Sequence, residues 1–249
     1  MLHRRSDCGQ NMEITNMIIS VPLINLAAIF ICVLLVGFGY IKKILDEKSA
    51  IFTFSFSLYF SLLFPLYWFA SLMILYILTS FATKYKRNYK MVAHKKGRKI
   101  KNLMSNLFPS LLFSFIYLVI PHPAIYFAFL CGLSCACADT LASEIGQLSR
   151  KNPRLITTLE EVKTGTEGGV SKLGLLIGLI GGLLVSLPGA YLGFKLFLLA
   201  TLVGFIGCNI DSYIGAKFEL EGKCSNETTN LIATTSSAVL GLIVFVLLL

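Results

Sequence analysis

The chain has 249 residues, of which 55% are hydrophobic and only 14% charged, with a formal net charge of +9. Soluble domains carry roughly 25% charged residues, so the composition excludes a water-soluble globule and points to an all-α, polytopic transmembrane bundle. The sustained alternation of a membrane β-barrel is also absent.

Residues 1–16 are polar, and their length and lack of a small-residue cleavage site argue against a removed signal peptide. A spanning helix needs about 20 apolar residues, with a range of roughly 17–25. Residues 17–41 meet that as a first span. The apolar run 50–82 would extend about 50 Å at ~1.5 Å per residue, too long for one span and short for two, with Pro65 near its middle. Later candidates are 103–120, 124–146, 173–192, 194–216 and 229–249.

Charge settles the ambiguous run. Lys and Arg favour the cytoplasmic side of short loops. Lys42, Lys43 and Lys48 precede the run, and nine of the eighteen residues from Lys84 to Lys101 are Lys or Arg. Placing both clusters inside requires two short helices turning near Pro65, which gives seven to eight spans in a single membrane domain over 1–249. The variable helices then occupy 1–82 and the motif-bearing core 83–238. In this topology the basic loop, the acidic ends of two helices and a glycine-rich loop all reach the cytoplasmic face.

Those acidic ends carry the chemistry. Asp139, Thr140, Ser143 and Glu144 interrupt the apolar helix 124–146. Carboxylates in a membrane helix are expensive and mark function by default. Asp139 and Ser143 share one helical face, and Thr140 and Glu144 the adjoining one. Such oxygen donors suit Mg²⁺, which also takes substrate phosphates. Asp211, beside Ser212, is positioned to supply an opposite wall, so Asp139, Ser143, Glu144 and Asp211 are the candidate metal ligands.

The glycine-rich loop contains Gly165, Thr166, Glu167, Gly168, Gly169 and Ser171, and Lys172 opens the next apolar helix. Glycines permit close backbone approach, and a helix N-terminus favours an anion. The loop does not match a Walker A motif, and a plain connector fits the same residues. The basic loop is read as topogenic, in contact with anionic lipids, or as offsetting phosphate charge through Lys84, Lys90, Arg98 or, beyond the loop, Lys172. It is too short and too closely tethered for nucleic-acid binding. Cys131, Cys135 and Cys137 read as small packing residues, and Gly174, Gly178, Gly181 and Gly182 as a close helix-packing seam. Asn226 and Asn230, at the start of the last helix, cap it or face the site.

At these residues the chain resembles a family of integral membrane proteins catalogued as domain of unknown function 92, which includes the animal transmembrane protein 19 group and plant chloroplast phytyl-phosphate kinases. The resemblance rests on Asp139 to Gly146, the Pro153-Arg154 segment, Gly165 to Ser171, Gly207 with Asp211-Ser212 and Gly215, and Asn226 with Asn230. Upstream it takes in Lys84, Lys90, Gly97-Arg98 and Ser105-Asn106. Lys163 and Glu227 depart from the family pattern.

The resemblance implies transfer of a phosphoryl group from a nucleoside triphosphate, CTP or similar, to an isoprenyl monophosphate such as phytyl or geranylgeranyl phosphate. Asp139, Glu144 and Asp211 would hold Mg²⁺, and Gly165 to Ser171 would cradle the donor phosphates. Lys84 and Arg98 would offset charge, and the prenyl tail would lie between helices among the membrane lipids. Two alternatives stay open: a transporter of a phosphorylated lipid or anion, and a CTP-dependent prenol kinase or cytidylyltransferase-like enzyme.

Overall fold

The computed structural model describes residues 23–91 and 99–248. Among these residues there are eight α-helices: α1 (Leu23–Ile41), α2 (Glu47–Leu63), α3 (Leu66–Lys84), α4 (Ile100–Val119), α5 (Pro123–Gly146), α6 (Lys172–Ser186), α7 (Phe194–Ile214) and α8 (Asn226–Leu248). Six are long and apolar enough to cross a membrane, counting the 3₁₀ extension of α6 to Leu192 and the π turn that carries α7 to Glu219. The apolar part of α1, Asn25–Ile41, and the 17-residue α2 are shorter. The all-α bundle expected from composition is present. The polar start of the chain and Arg98 lie outside the described residues.

The long apolar run breaks where proline dictates. Helix α2 ends at Leu63 and α3 begins at Leu66, with Phe64 and Pro65 extended between them. Proline lacks the N–H a helix needs and disfavours helical backbone in the residue before it. Asp46 starts α2 by accepting a hydrogen bond from the Ser49 amide at 2.8 Å.

Helix α5 is the axis of the bundle and is buried along almost its whole length. Its residues facing the neighbouring helices are small: Cys131, Ser134, Cys135 and Ala138. Glycines on those helices approach them closely. A Cβ added at Gly207 of α7 would stand 2.7 Å from Cys135 Sγ, and one at Gly241 of α8 2.7 Å from Cys131 Sγ. At Gly178 of α6 it would stand 3.0 Å from the Ala138 carbonyl oxygen. The cysteines and the α6 glycines are therefore packing residues, as their apolar settings suggest. In a bilayer this closeness matters because van der Waals contact, not water exclusion, drives helix association.

The outer helices use bulk instead. Phe60 and Phe64 of α2 and its exit, Trp68 of α3 and Phe129 of α5 form a buried aromatic cluster. Trp68 lies 4.4 Å from Phe129 and 4.8 Å from Phe64 between ring centroids.

Candidate functional site

Because α3 to α8 alternate in direction, the C-terminal ends of α3, α5 and α7 meet the N-terminal ends of α4, α6 and α8. A cavity of about 370 Å³ opens there, bordered by Asp139, the Gly165–Ser171 loop, Asp211 and the start of α8. The structure thus gathers the two acidic helix ends and the glycine-rich loop at one end of the bundle, and the beginning of the basic loop joins them.

That junction is a buried ion pair. Lys90 Nζ donates to Glu144 Oε2 at 2.7 Å, and Thr83 Oγ1 donates to Glu144 Oε1 at 3.0 Å. The same ammonium contacts the carbonyls of Ala82 and Thr83 at the end of α3. Both Glu144 oxygens are thereby engaged in pinning the basic loop and α3 to α5. Lys90, nominated from the sequence for phosphate charge, serves this pairing and is buried.

Asp139 and Asp211 face each other, their carboxyl groups within hydrogen-bonding reach. Asp211 Oδ1 is buried without a hydrogen-bond partner. Two further buried oxygens on the same cavity wall share that condition, Asn106 Oδ1 of α4 and Asn230 Oδ1 of α8. The amide nitrogens of these asparagines are accounted for. Asn106 Nδ2 donates to the Asn102 carbonyl at 2.9 Å, and Asn230 Nδ2 to Asn226 Oδ1 at 3.1 Å. The oxygens are therefore left as the acceptors. A buried polar atom without a partner is unfavourable by about 1–3 kcal/mol, so three on one wall call for a cation or a donor group.

Among the described residues no three His, Cys, Asp or Glu side chains form a complete metal cage. The donor set of two carboxylates with amide oxygens still fits Mg²⁺, which is held by one or two carboxylates and keeps water and phosphate on its other positions. Ser143 also borders the cavity, with its hydroxyl directed to the Thr140 carbonyl at 3.1 Å.

The glycine-rich loop is built as a small hairpin. Strands β1 (Arg154–Leu155) and β2 (Gly169–Val170) pair antiparallel, Arg154 opposite Val170 and Leu155 opposite Gly169. Ser171 caps α6 by accepting from the Gly174 amide at 3.0 Å and donates to the Gly146 carbonyl at 3.1 Å, tying the loop to the end of α5. Gly168 has a positive φ of 71°, and a Cβ there would stand 2.5 Å from the Ala216 backbone nitrogen. Packing against the turn after α7 thus requires a glycine at 168 whether or not a ligand is bound. Gly165, Thr166 and Glu167 border the cavity itself. Partial desolvation at the rim raises the Glu167 carboxyl above its ordinary pKa.

No lysine or arginine borders the cavity among the described residues. Lys84 and Lys172 lie off its wall. Sequence reasoning gave no role to Asn102 and Asn106 of α4, yet both line the site. The available signal was an amide inside an apolar helix, which a bilayer tolerates only where it has a partner or a purpose.

Comparison with known proteins finds relatives among membrane proteins. An uncharacterized membrane protein of Methanocaldococcus jannaschii is 37% identical over 151 residues, 59% of this chain and 63% of that protein. Protein PGR of Arabidopsis thaliana is 42% identical over 108 residues, 37% of each chain. Protein VTE6, chloroplastic, of the same plant is 31% identical over 115 residues, 43% of this chain and 34% of that protein. The matches therefore span less than two thirds of these relatives' own lengths. No solved structure matches the chain. The family described as integral membrane protein DUF92 matches over residues 30–242, and the chain belongs to it.

Proposed function

We propose that this protein is a Mg²⁺-dependent phosphotransferase of the membrane, moving the terminal phosphoryl group of a nucleoside triphosphate, CTP or similar, onto an isoprenyl monophosphate. The observation that carries the reading is the cavity wall. It offers carboxylates, three unpartnered acceptor oxygens and, among the described residues, no cationic side chain. Such a wall repels bare polyphosphate and takes it up together with a hard cation. Asp139, Asp211, Asn106 and Asn230 would hold Mg²⁺, and the ion would neutralise phosphate charge there. Glu144 instead holds Lys90 and keeps the wall in place.

Phosphoryl transfer asks mainly for positioning and charge neutralisation. The acceptor is already an anion, so no strong base is needed. A phosphate oxygen of the acceptor forms a new P–O bond to the donor's terminal phosphorus. The bond from that phosphorus to the bridging oxygen breaks, and the nucleoside diphosphate leaves with the electron pair. Gly165, Thr166 and Glu167 border the cavity, and so do Ser171 and Gly174 at the α6 N-terminus, where an anion is favoured. The resemblance to the phytyl-phosphate kinases of this family supports a lipid-borne acceptor. Lys84, Lys86, Arg87, Lys99, Lys101, Arg150 and Lys151 flank this end of the bundle, which under the positive-inside rule favours a cytoplasmic orientation for it.

The test is direct. Purified protein in detergent is given geranylgeranyl phosphate and each nucleoside triphosphate, with and without Mg²⁺, and products are separated by chromatography. Prenyl diphosphate formed only with both nucleotide and Mg²⁺ supports the reading. No diphosphate with any nucleotide overturns it, and nucleotide-independent movement of prenyl phosphate across vesicles would point to a transporter.

A further inference from the structure

A second, smaller cavity of about 60 Å³ lies beside the first, between α2, α3, α4 and α5. Its lining is mostly apolar, with Phe56, Leu72, Leu75, Leu107 and Ala136 among the contributors. Two of the hydroxyls at its edge are turned back to their own helices. Thr53 Oγ1 donates to the Ser49 carbonyl at 2.7 Å and Thr79 Oγ1 to the Tyr76 carbonyl at 3.4 Å. Its outer wall is braced by α1, since Tyr76 Oη donates to the Leu35 carbonyl at 2.8 Å.

Asn106 and Thr140 border both cavities. One residue of α4 and one of α5 therefore separate a polar, phosphate-type site from an apolar slot. A molecule that is anionic at one end and hydrocarbon at the other fills both at once.

We infer that this slot receives the proximal isoprene units of the acceptor, and that Asn106 and Thr140 mark the point where phosphate gives way to hydrocarbon. The inference rests on the reading of the large cavity as the site of a lipid phosphate. The slot is too small for a long prenyl chain, so the distal units extend past it among the helices. Specificity for the acceptor then resides in the first units and not in total chain length. The slot is built largely from α2 and α3, outside the motif-bearing core.

Two measurements test this. Thr53 is half-buried at the slot's edge, and Thr53→Phe narrows it without touching the polar cavity. A hydrocarbon group misfitting a pocket changes discrimination by roughly 10-fold or more. The expected result is a KM raised about tenfold for geranylgeranyl phosphate and by a comparable factor for a one-unit prenyl phosphate, with the nucleotide KM unchanged. A loss confined to the longer acceptor, or no loss for either, overturns the inference.

The second measurement needs no turnover and no variant. A prenyl phosphate carrying a diazirine on its first isoprene unit is photolysed with the wild-type protein, and adducts are mapped by mass spectrometry. Adducts on Leu72, Leu75 or Leu107 that plain geranylgeranyl phosphate competes away support the slot. They do so even if no diphosphate is ever formed, in which case the kinase reading fails alone. Adducts confined to lipid-facing residues such as Phe115, in protein that makes diphosphate, sink the slot and leave the kinase reading standing.

Discussion

The two halves of this bundle are packed by opposite means. Around α5, helices α6 to α8 come close because glycine meets cysteine, serine or alanine, so backbone lies almost on backbone. Around α2 and α3 the space is filled by Phe60, Phe64 and Trp68; Phe60 and Trp68 tilt against Phe129, and Phe64 tilts against Trp68. Close backbone packing admits few alternative arrangements, so it holds Asp139, the hairpin loop and Asp211 in fixed relation. Aromatic packing spaces helices more widely and leaves the gap that forms the apolar slot. The polar site thus sits in the rigid half, and the slot at the boundary with the bulky one.

The largest effect expected from breaking this division falls on activity. Asp211→Asn should reduce diphosphate formation by roughly 10²-fold or more, the scale seen when one group that stabilises transition-state charge is removed. Thermal stability in detergent should hold or rise, because the change relieves repulsion with Asp139. A variant that loses activity only by unfolding would remove the carboxylate from the site.

Next comes the joint between the halves. Lys90→Met strands Glu144 as an unpaired buried carboxylate, a destabilisation of about 3–5 kcal/mol. Adding Glu144→Leu to that variant should restore most of the lost stability, since an apolar replacement of both partners is often neutral. Denaturation of the two variants side by side gives the answer. If the double variant is no better than the single one, the pair is not what holds the joint.

Within the rigid half, Gly207→Val would drive a side chain into Cys135 and Ser237, at 2.7 and 2.8 Å for its Cβ alone. Overpacking of this kind costs about 1–3 kcal/mol, and a lowered Tm with reduced activity is expected. In the bulky half, Phe52→Leu removes a stacked contact with Phe56 at 5.5 Å. That should cost about 0.5–1.5 kcal/mol and leave the nucleotide KM unchanged. Comparable losses at the two positions would dissolve the distinction between the halves.

Much of this was legible in the sequence because membrane composition is a strong constraint. Pro65 marks the break between α2 and α3, and the acidic insertions at Asp139 and Asp211 mark helix ends on one face. What escaped was long-range. The partner of Glu144 is 54 positions away, and no local pattern says that Lys90 will turn inward while Lys84 does not. Gly168 looked like a phosphate-loop glycine, and its immediate reason is the backbone of Ala216, which depends on how α7 ends. Asn106 and Asn230 sit in separate helices, so their unpartnered oxygens become visible only when the helices are assembled.

The central claim is that the Asp139–Asp211 cavity takes up nucleotide together with Mg²⁺. Equilibrium dialysis of labelled nucleotide against purified wild-type protein, Asp139→Asn and Asp211→Asn, each with and without Mg²⁺, tests it most directly. Saturable binding that requires Mg²⁺ in the wild type and weakens at least about tenfold in both variants, the scale on which ~1.4 kcal/mol of contact is lost, is the result this account predicts. Binding that ignores Mg²⁺, or that survives both substitutions unchanged, would contradict it.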